Sequence, residues 1–170
     1  MTHTPSMKSL LLFCSALALN AVLASTAMAA NVGDKAPHLD LPGTAGQIQL
    51  DAFKGKTVYL DFWASWCGPC KQSFPWMNAM HKRYRAKGLH IVAVNLDQKP
   101  DDAKAFLSSN PAAFDIAFDA AGKTPKAFGV KGMPTSFLIG PDGKVLMVHQ
   151  GFNEEAQAEL EKRIQQAIQR

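Results

Sequence analysis

The chain has 170 residues, 47% of them apolar and 19% charged, with a formal net charge of +4. The basic excess is small and spread along the chain, which argues against nucleic acid or a membrane surface as partner. Nothing in the sequence marks an internal repeat, a low-complexity tract or a second folded domain.

Lys8 is the first charged side chain, and an uncharged stretch then runs from Ser9 to Gly33. Leu10 to Leu23 is apolar except for Ser15 and Asn20, and Ala27-Met28-Ala29 supplies the small residues of a cleavage site. The segment reads as a secretory signal peptide over residues 1–29, with a mature domain over residues 30–170. An uncleaved membrane anchor is the rival reading, and membrane contact is expected only in that case. Leu11-Leu12-Phe13-Cys14 resembles a lipoprotein box only loosely, because Phe13 is bulky and the apolar run continues past it. With Cys14 discarded, two cysteines remain, and both lie in one Cys-x-x-Cys.

The exported part is long enough, at about 140 residues, for one domain with a real core. After a polar lead-in, Val32-Gly33-Asp34-Lys35-Ala36-Pro37, two short strands are expected at His38–Leu41 and Gln47–Leu50 around a glycine-containing turn. Thr57 to Trp63 reads as a strand buried on both faces. A helical pattern follows from Lys71 to Lys87, with Pro75 inside it and Gly88 at its end. Leu89–Leu96 is the next strand. A helix over Asp101–Ser109, a strand over Phe114–Phe118 and a short helix over Thr124–Phe128 come after it. Thr135–Ile139 and Lys144–His149 form a hairpin around Pro141-Asp142-Gly143. Asn153, or a residue just after it, caps a last helix that turns Ala156, Leu160, Ile164 and Ala167 inward. Alternating strands and helices followed by a hairpin predict an α/β fold: a central mixed sheet with helices on both faces.

The chemistry gathers at Trp66-Cys67-Gly68-Pro69-Cys70, where the buried strand ends and the helix begins. A cysteine at a helix N-terminus meets free N–H groups and the positive end of the helix dipole, which favour its thiolate. Cys70, three residues on, faces the same side and can close a disulfide with Cys67. One Cys-x-x-Cys could also be half a zinc site, but the sequence offers no second pair of ligands. A purely structural disulfide would close too tight a loop to stabilise the fold much. Asp61 interrupts the apolar strand. It is either a buried carboxylate with a raised pKa, suited to exchange a proton with Cys70, or a solvated residue at a strand end. His38, His81, His90 and His149 are isolated and suit surface or strand-end positions.

Asp61-Phe62-Trp63-Ala64-Ser65-Trp66-Cys67-Gly68-Pro69-Cys70 resembles the active-site segment of thioredoxins. Gly132-Met133-Pro134-Thr135 resembles their loop with a cis-proline facing the cysteines. Pro75 falls where thioredoxins kink the active-site helix, and Gly151 resembles a glycine of their docking surface. The lead-in resembles the N-terminal strands of exported TlpA-like and ResA-like proteins, and of peroxiredoxins, and the two dozen residues between Asp97-Gln98-Lys99-Pro100 and Thr124-Pro125-Lys126 are similar to the TlpA-like group. The resemblance therefore implies a thioredoxin fold with an N-terminal strand extension and an inserted helix–strand element. It departs from thioredoxins where their lysine beside the aspartate matches Ala93, and from TlpA-like reductases where a frequent glutamate matches Ser73.

The resemblance implies that Cys67 attacks a disulfide, that Cys70 resolves the mixed disulfide, and that Asp61 serves Cys70 as base. Trp66, Gly68, Pro69, Met133, Pro134 and Gly151 would bind the partner chain. No cofactor and no metal is implied. The activity implied is thiol–disulfide exchange by an exported, periplasmic, monomeric protein. The Gly68-Pro69 dipeptide favours reduction of protein disulfides, with electrons from a membrane thiol transporter of the DsbD type. Substrates would be cysteines of cytochrome c or oxidase assembly, or of damaged secreted proteins. The rival readings are a disulfide oxidase or isomerase and a copper-holding metallochaperone. A peroxiredoxin-like peroxidase would need a cysteine in a Pro-x-x-x-Thr-x-x-Cys setting, which this sequence lacks.

Overall fold

The structure, a computed structural model, describes Met1 and residues 29–169. The signal-peptide reading of residues 1–29, with Cys14, falls almost wholly outside the described residues.

Seven strands form one mixed sheet, in the order β2-β1-β5-β4-β3-β6-β7. They are β1 (Asp40–Gly43), β2 (Gly46–Gln49), β3 (Thr57–Trp63), β4 (Leu89–Asn95), β5 (Asp115–Phe118), β6 (Thr135–Ile139) and β7 (Val145–Gln150). β3, β4 and β5 run parallel, and the other pairings are antiparallel. The helices are α1 (Gly68–Tyr84), α2 (Pro100–Ser109), α3 (Lys123–Phe128) and α4 (Glu154–Ile168). The expected inserted element is α2 with β5, and the expected N-terminal extension is the β1–β2 hairpin. The thioredoxin fold read from the sequence is the fold observed.

All seven residues of β3 are buried, because the strand is central and each face carries its own apolar layer. Side chains alternate across a strand. Tyr59 and Trp63 join Leu89, Ile91, Ala93 and Leu138 under Cys70, Phe74 and Met77 of α1 and Leu160 and Ile164 of α4. Val58, Leu60 and Phe62 join Val92, Val94, Phe137 and Ile139 under Phe128 of α3 and Leu39 just before β1. Helices thus cover both faces.

The helix ends follow their sequence signals. Asn153 caps α4 by accepting from the Ala156 N–H at 2.8 Å, and Glu154 and Glu155 sit at the positive end of the helix dipole. Gly88 adopts φ 97° as the chain leaves the turn after α1 and enters β4. Pro75 lies inside α1 on an exposed position.

The β1–β2 hairpin sits differently from expectation. β1 starts two residues later and runs through Gly43, leaving a turn of Thr44 and Ala45 alone. Gly43 is a strand residue that pairs with Ala117 of β5. A Cβ there would stand 2.5 Å from Ile48 Cδ1 and 2.8 Å from the Ile116 carbonyl oxygen. The glycine that reads as turn punctuation is a point of close contact between strands.

Candidate active site

Cys67 follows β3 by a short loop and is the N-cap residue of α1, with Gly68 and Pro69 as the first helical residues. Proline suits that place because its missing N–H has no helical acceptor there anyway. The Cys70 N–H points at Cys67 Sγ, 3.3 Å away. In the reduced chain that N–H and the helix dipole would favour a Cys67 thiolate. In this structure Cys67 and Cys70 are joined as a disulfide.

The two sulfurs differ in access. Cys70 is fully enclosed, whereas Cys67 keeps 5% exposure. Trp66 beside it is 71% exposed, more open to solvent than any other large apolar side chain described apart from Met1. Gly68 and Pro69 are also exposed. The Met133–Pro134 peptide bond is cis, and half-buried Met133 packs on the cluster that contains both cysteines. Gly151 donates its N–H to the Pro134 carbonyl at 2.8 Å, so β7 holds Gly151 beside that loop. Trp66, Gly68, Pro69, Met133, Pro134 and Gly151 are therefore spread over the β3–α1 loop, the first turn of α1 and the loops flanking β6 and β7, with Pro134 buried.

The loop that carries Trp66 and Cys67 is tied down from β4. Asp97, buried, accepts from the Ser65 N–H at 3.0 Å, the Ser65 hydroxyl at 3.0 Å and the Asn95 amide at 2.7 Å. Asp97 read from sequence as a plain loop residue, and Ser65 carried no expectation. An acid next to a strand end gives no hint of which loop it will hold until β3 and β4 are paired.

Asp61 is 1% exposed and lies in mid-sheet, not at a strand end. Its position between Tyr59 and Trp63 turns it toward the layer that holds Cys70. Ala93 is its partner on β4 and Ser136 its partner on β6. Ser136 Oγ donates to Asp61 Oδ1 at 2.7 Å, and Tyr59 Oη donates to Ser136 Oγ at 2.8 Å. Burial drives the Asp61 pKa from 3.8 up to about 7, against the opposing pull of the Ser136 hydrogen bond. A carboxyl group that changes charge near neutrality, on the buried side of a dithiol, is equipped for proton exchange. Ser73, at the position of a frequent family glutamate, is buried and donates to the Cys70 carbonyl at 2.9 Å. The local charge environment is accordingly sparse.

Tyr59 and Ser136 were not singled out from sequence. Ser136 carries the same signal as Asp61, a polar residue within an apolar strand, and Tyr59 precedes Asp61 by one strand period. Among the described residues, His38 is exposed and His81, His90 and His149 are half-buried, with burial lowering the pKa of His81 and His90.

Two cavities of about 560 and 630 Å³ lie away from the cysteines, and neither is lined by Cys67, Cys70 or Trp66. The disulfide is itself buried, and what borders it on the surface is exposed Trp66, Gly68 and Pro69, a contact face that suits a macromolecular substrate better than an engulfed small one.

Comparison with known proteins agrees with this geometry. The redoxin family model matches residues 31–164. A thiol-disulfide oxidoreductase ResA of Bacillus thuringiensis subsp. konkukian is 38% identical over 129 residues, covering 75% of each chain. Its counterpart in Bacillus subtilis is 38% identical over 125 residues, covering 73% of this chain and 70% of that one. Among solved structures, a Chlorobium tepidum protein assigned as thiol:disulfide interchange protein DsbE superimposes with a TM-score of 0.81 at 56% identity, covering 82% of this chain and 99% of that one. StoA from Bacillus subtilis gives a TM-score of 0.65 at 26% identity, covering 76% of this chain and 97% of that one.

Proposed function

The chain belongs to the redoxin family, and on that premise we propose that it is an exported reductase of protein disulfides. It is a thiol-disulfide oxidoreductase of the ResA-like group. The observation that carries the roles is the asymmetry of the pair: Cys67 at the helix N-terminus beside exposed Trp66, Cys70 sealed beneath it.

In the proposed cycle the Cys67 thiolate attacks one sulfur of a substrate disulfide. A Cys67–substrate bond forms, and the other substrate sulfur leaves as a thiolate. Cys70 then loses its proton to Asp61 and attacks Cys67, which releases the second substrate sulfur and restores the Cys67–Cys70 bond. The dithiol gives up two electrons, and the substrate disulfide gains them. Trp66, Gly68, Pro69, Met133, Pro134 and Gly151 form the surface against which the partner chain lies, and the exposure of Trp66, Gly68 and Pro69 beside Cys67 supports a protein substrate. The Gly68-Pro69 dipeptide supports reduction over oxidation.

A reductase in an oxidising compartment needs electrons from elsewhere. A membrane thiol transporter of the DsbD type is the proposed donor, the periplasm the proposed site, and cysteines of cytochrome c or oxidase assembly the proposed substrates. The chain acts as a monomer, and cleavage after Ala29 releases it. Ala30 is buried against the α3 side and its N–H donates to the Phe128 carbonyl at 3.3 Å, which supports a folded domain that includes it.

These proposals have direct tests. Equilibration with glutathione mixtures should give a reduction potential near about −270 mV, as for thioredoxins; a value near about −120 mV would make it an oxidase. In cells, Cys70→Ser should accumulate mixed disulfides on Cys67 that name the substrates, and Cys67→Ala should cleave no insulin disulfides. Copper that copurifies with the dithiol and whose chelation abolishes function would instead support a metallochaperone.

A further inference from the structure

The two oxygens of the Asp61 carboxyl group are not equivalent. Oδ1 accepts from Ser136 Oγ, which in turn accepts from Tyr59 Oη. Oδ2 is buried and has no hydrogen-bond partner. Each hydroxyl carries a single hydrogen, and only this direction along the chain uses both of them. The arrangement follows from register: Tyr59 and Asp61 share a face of β3, and Ser136 is the residue directly opposite Asp61 on β6. On the other side β4 presents Ala93, which offers no donor.

We infer that Ser136, steadied by Tyr59, is a positioning residue for the proton step of the dithiol: it pins Oδ1 and leaves Oδ2 to trade a proton with Cys70. The inference rests on the proposed service of Asp61 to Cys70. Oδ2 takes the proton from Cys70 Sγ as the resolving step begins. The Cys70 thiolate forms its bond to Cys67 while the Cys67–substrate bond breaks. The electron pair of that bond leaves on the substrate sulfur, which is protonated from water. Asp61 returns its proton when the disulfide is reduced again. Ser136 also sets the pH at which this works, because a donor to Oδ1 favours the carboxylate form.

The other groups that face Asp61 are few. Tyr59 and Trp63 flank it on β3, the indole N–H of Trp63 being buried without a partner, and Cys70 and Ser73 are buried residues of α1. α4 turns Leu160 and Ile164 inward, and α2 contributes Phe106. His149 on β7 is in register with Ser136, one strand further from Asp61. Its titration must be kept apart from that of Asp61, so the carboxyl group has to be read directly.

The test is a 13Cγ NMR titration of the oxidised, aspartate-labelled chain from about pH 4 to about pH 10, set beside the pH profile of single-turnover insulin reduction by the reduced chain. The resonance that vanishes in Asp61→Asn should inflect near pH 7. Ser136→Ala should move that inflection upward by about one pH unit, and the turnover profile should move with it. Tyr59→Phe, which keeps the ring volume, should produce a smaller shift of the same sign, and Ser136→Thr should restore the wild-type value. An unmoved inflection in Ser136→Ala overturns the inference, as does a moved inflection with an unmoved turnover profile. A turnover profile identical in Asp61→Asn and wild type would instead overturn the role given to Asp61 itself.

Discussion

Burying Asp61 should make the oxidised protein lose stability as pH rises. In the unfolded chain the group has its ordinary pKa of 3.8, and in the fold it is held near 7. Below about pH 4 both states are protonated, and burial of the charge costs nothing. Between those two values the unfolded chain gives up the proton while the folded chain keeps it, so stability falls by about 1.4 kcal/mol per pH unit. Above the folded value both states are ionised, and the deficit stays constant at roughly 4 kcal/mol. The sign is the reverse of that for a salt-bridged aspartate, because desolvation, not a partner charge, dominates here. The perturbation is Asp61→Asn, which keeps the shape and removes the charge. Urea unfolding of the two oxidised chains across this range measures the difference in stability, and the remaining carboxylates cancel in that difference. Asp61→Asn should gain on wild type by roughly 4 kcal/mol between pH 4 and pH 8. A difference that does not vary with pH would mean that the carboxylate is solvated or compensated, and the reasoning would fail.

Asp97→Ala leaves the Ser65 N–H, the Ser65 hydroxyl and the Asn95 amide without their acceptor. It should cost about 2–3 kcal/mol in urea unfolding and raise hydrogen exchange at the Ser65 amide more than at mid-β3; uniform exchange would refute a local anchoring role. Gly43→Ala places a methyl group against Ile48 and the Ile116 carbonyl and should destabilise by about 1–3 kcal/mol, whereas Gly68→Ala, which meets nothing within 4 Å, should be much milder. Similar unfolding midpoints for the two would contradict the close contact at Gly43. Trp66→Ala removes an exposed side chain, so the unfolding midpoint should hardly move. Its KM for a protein disulfide should rise while reduction of a small aromatic disulfide is retained; equal loss on both substrates would remove Trp66 from the docking surface.

The chemistry was legible in the chain because it is local. Cys67 and Cys70 lie three apart across a strand-to-helix junction, and the apolar run of β3 and Pro69 mark that junction without help from distant residues. Asp61 showed itself for the same reason, as a charge where the pattern calls for an apolar residue. What the acid does depends on partners 75 or more residues away in sequence: Ser136 reaches it only when β6 pairs antiparallel with β3 in one register. A shift of one residue in that pairing would set Phe137 or Thr135 opposite it and turn the hydroxyl to the other face. Gly43 and Asp97 follow the same rule, the one set by a strand crossing beside β5 and the other by a loop that β4 brings within reach of Ser65. Local pattern determines where the dithiol sits and what it can react with. Sheet register alone decides which groups govern its protons, since hydrogen bonds between strands are set by pairing and leave no period in the sequence.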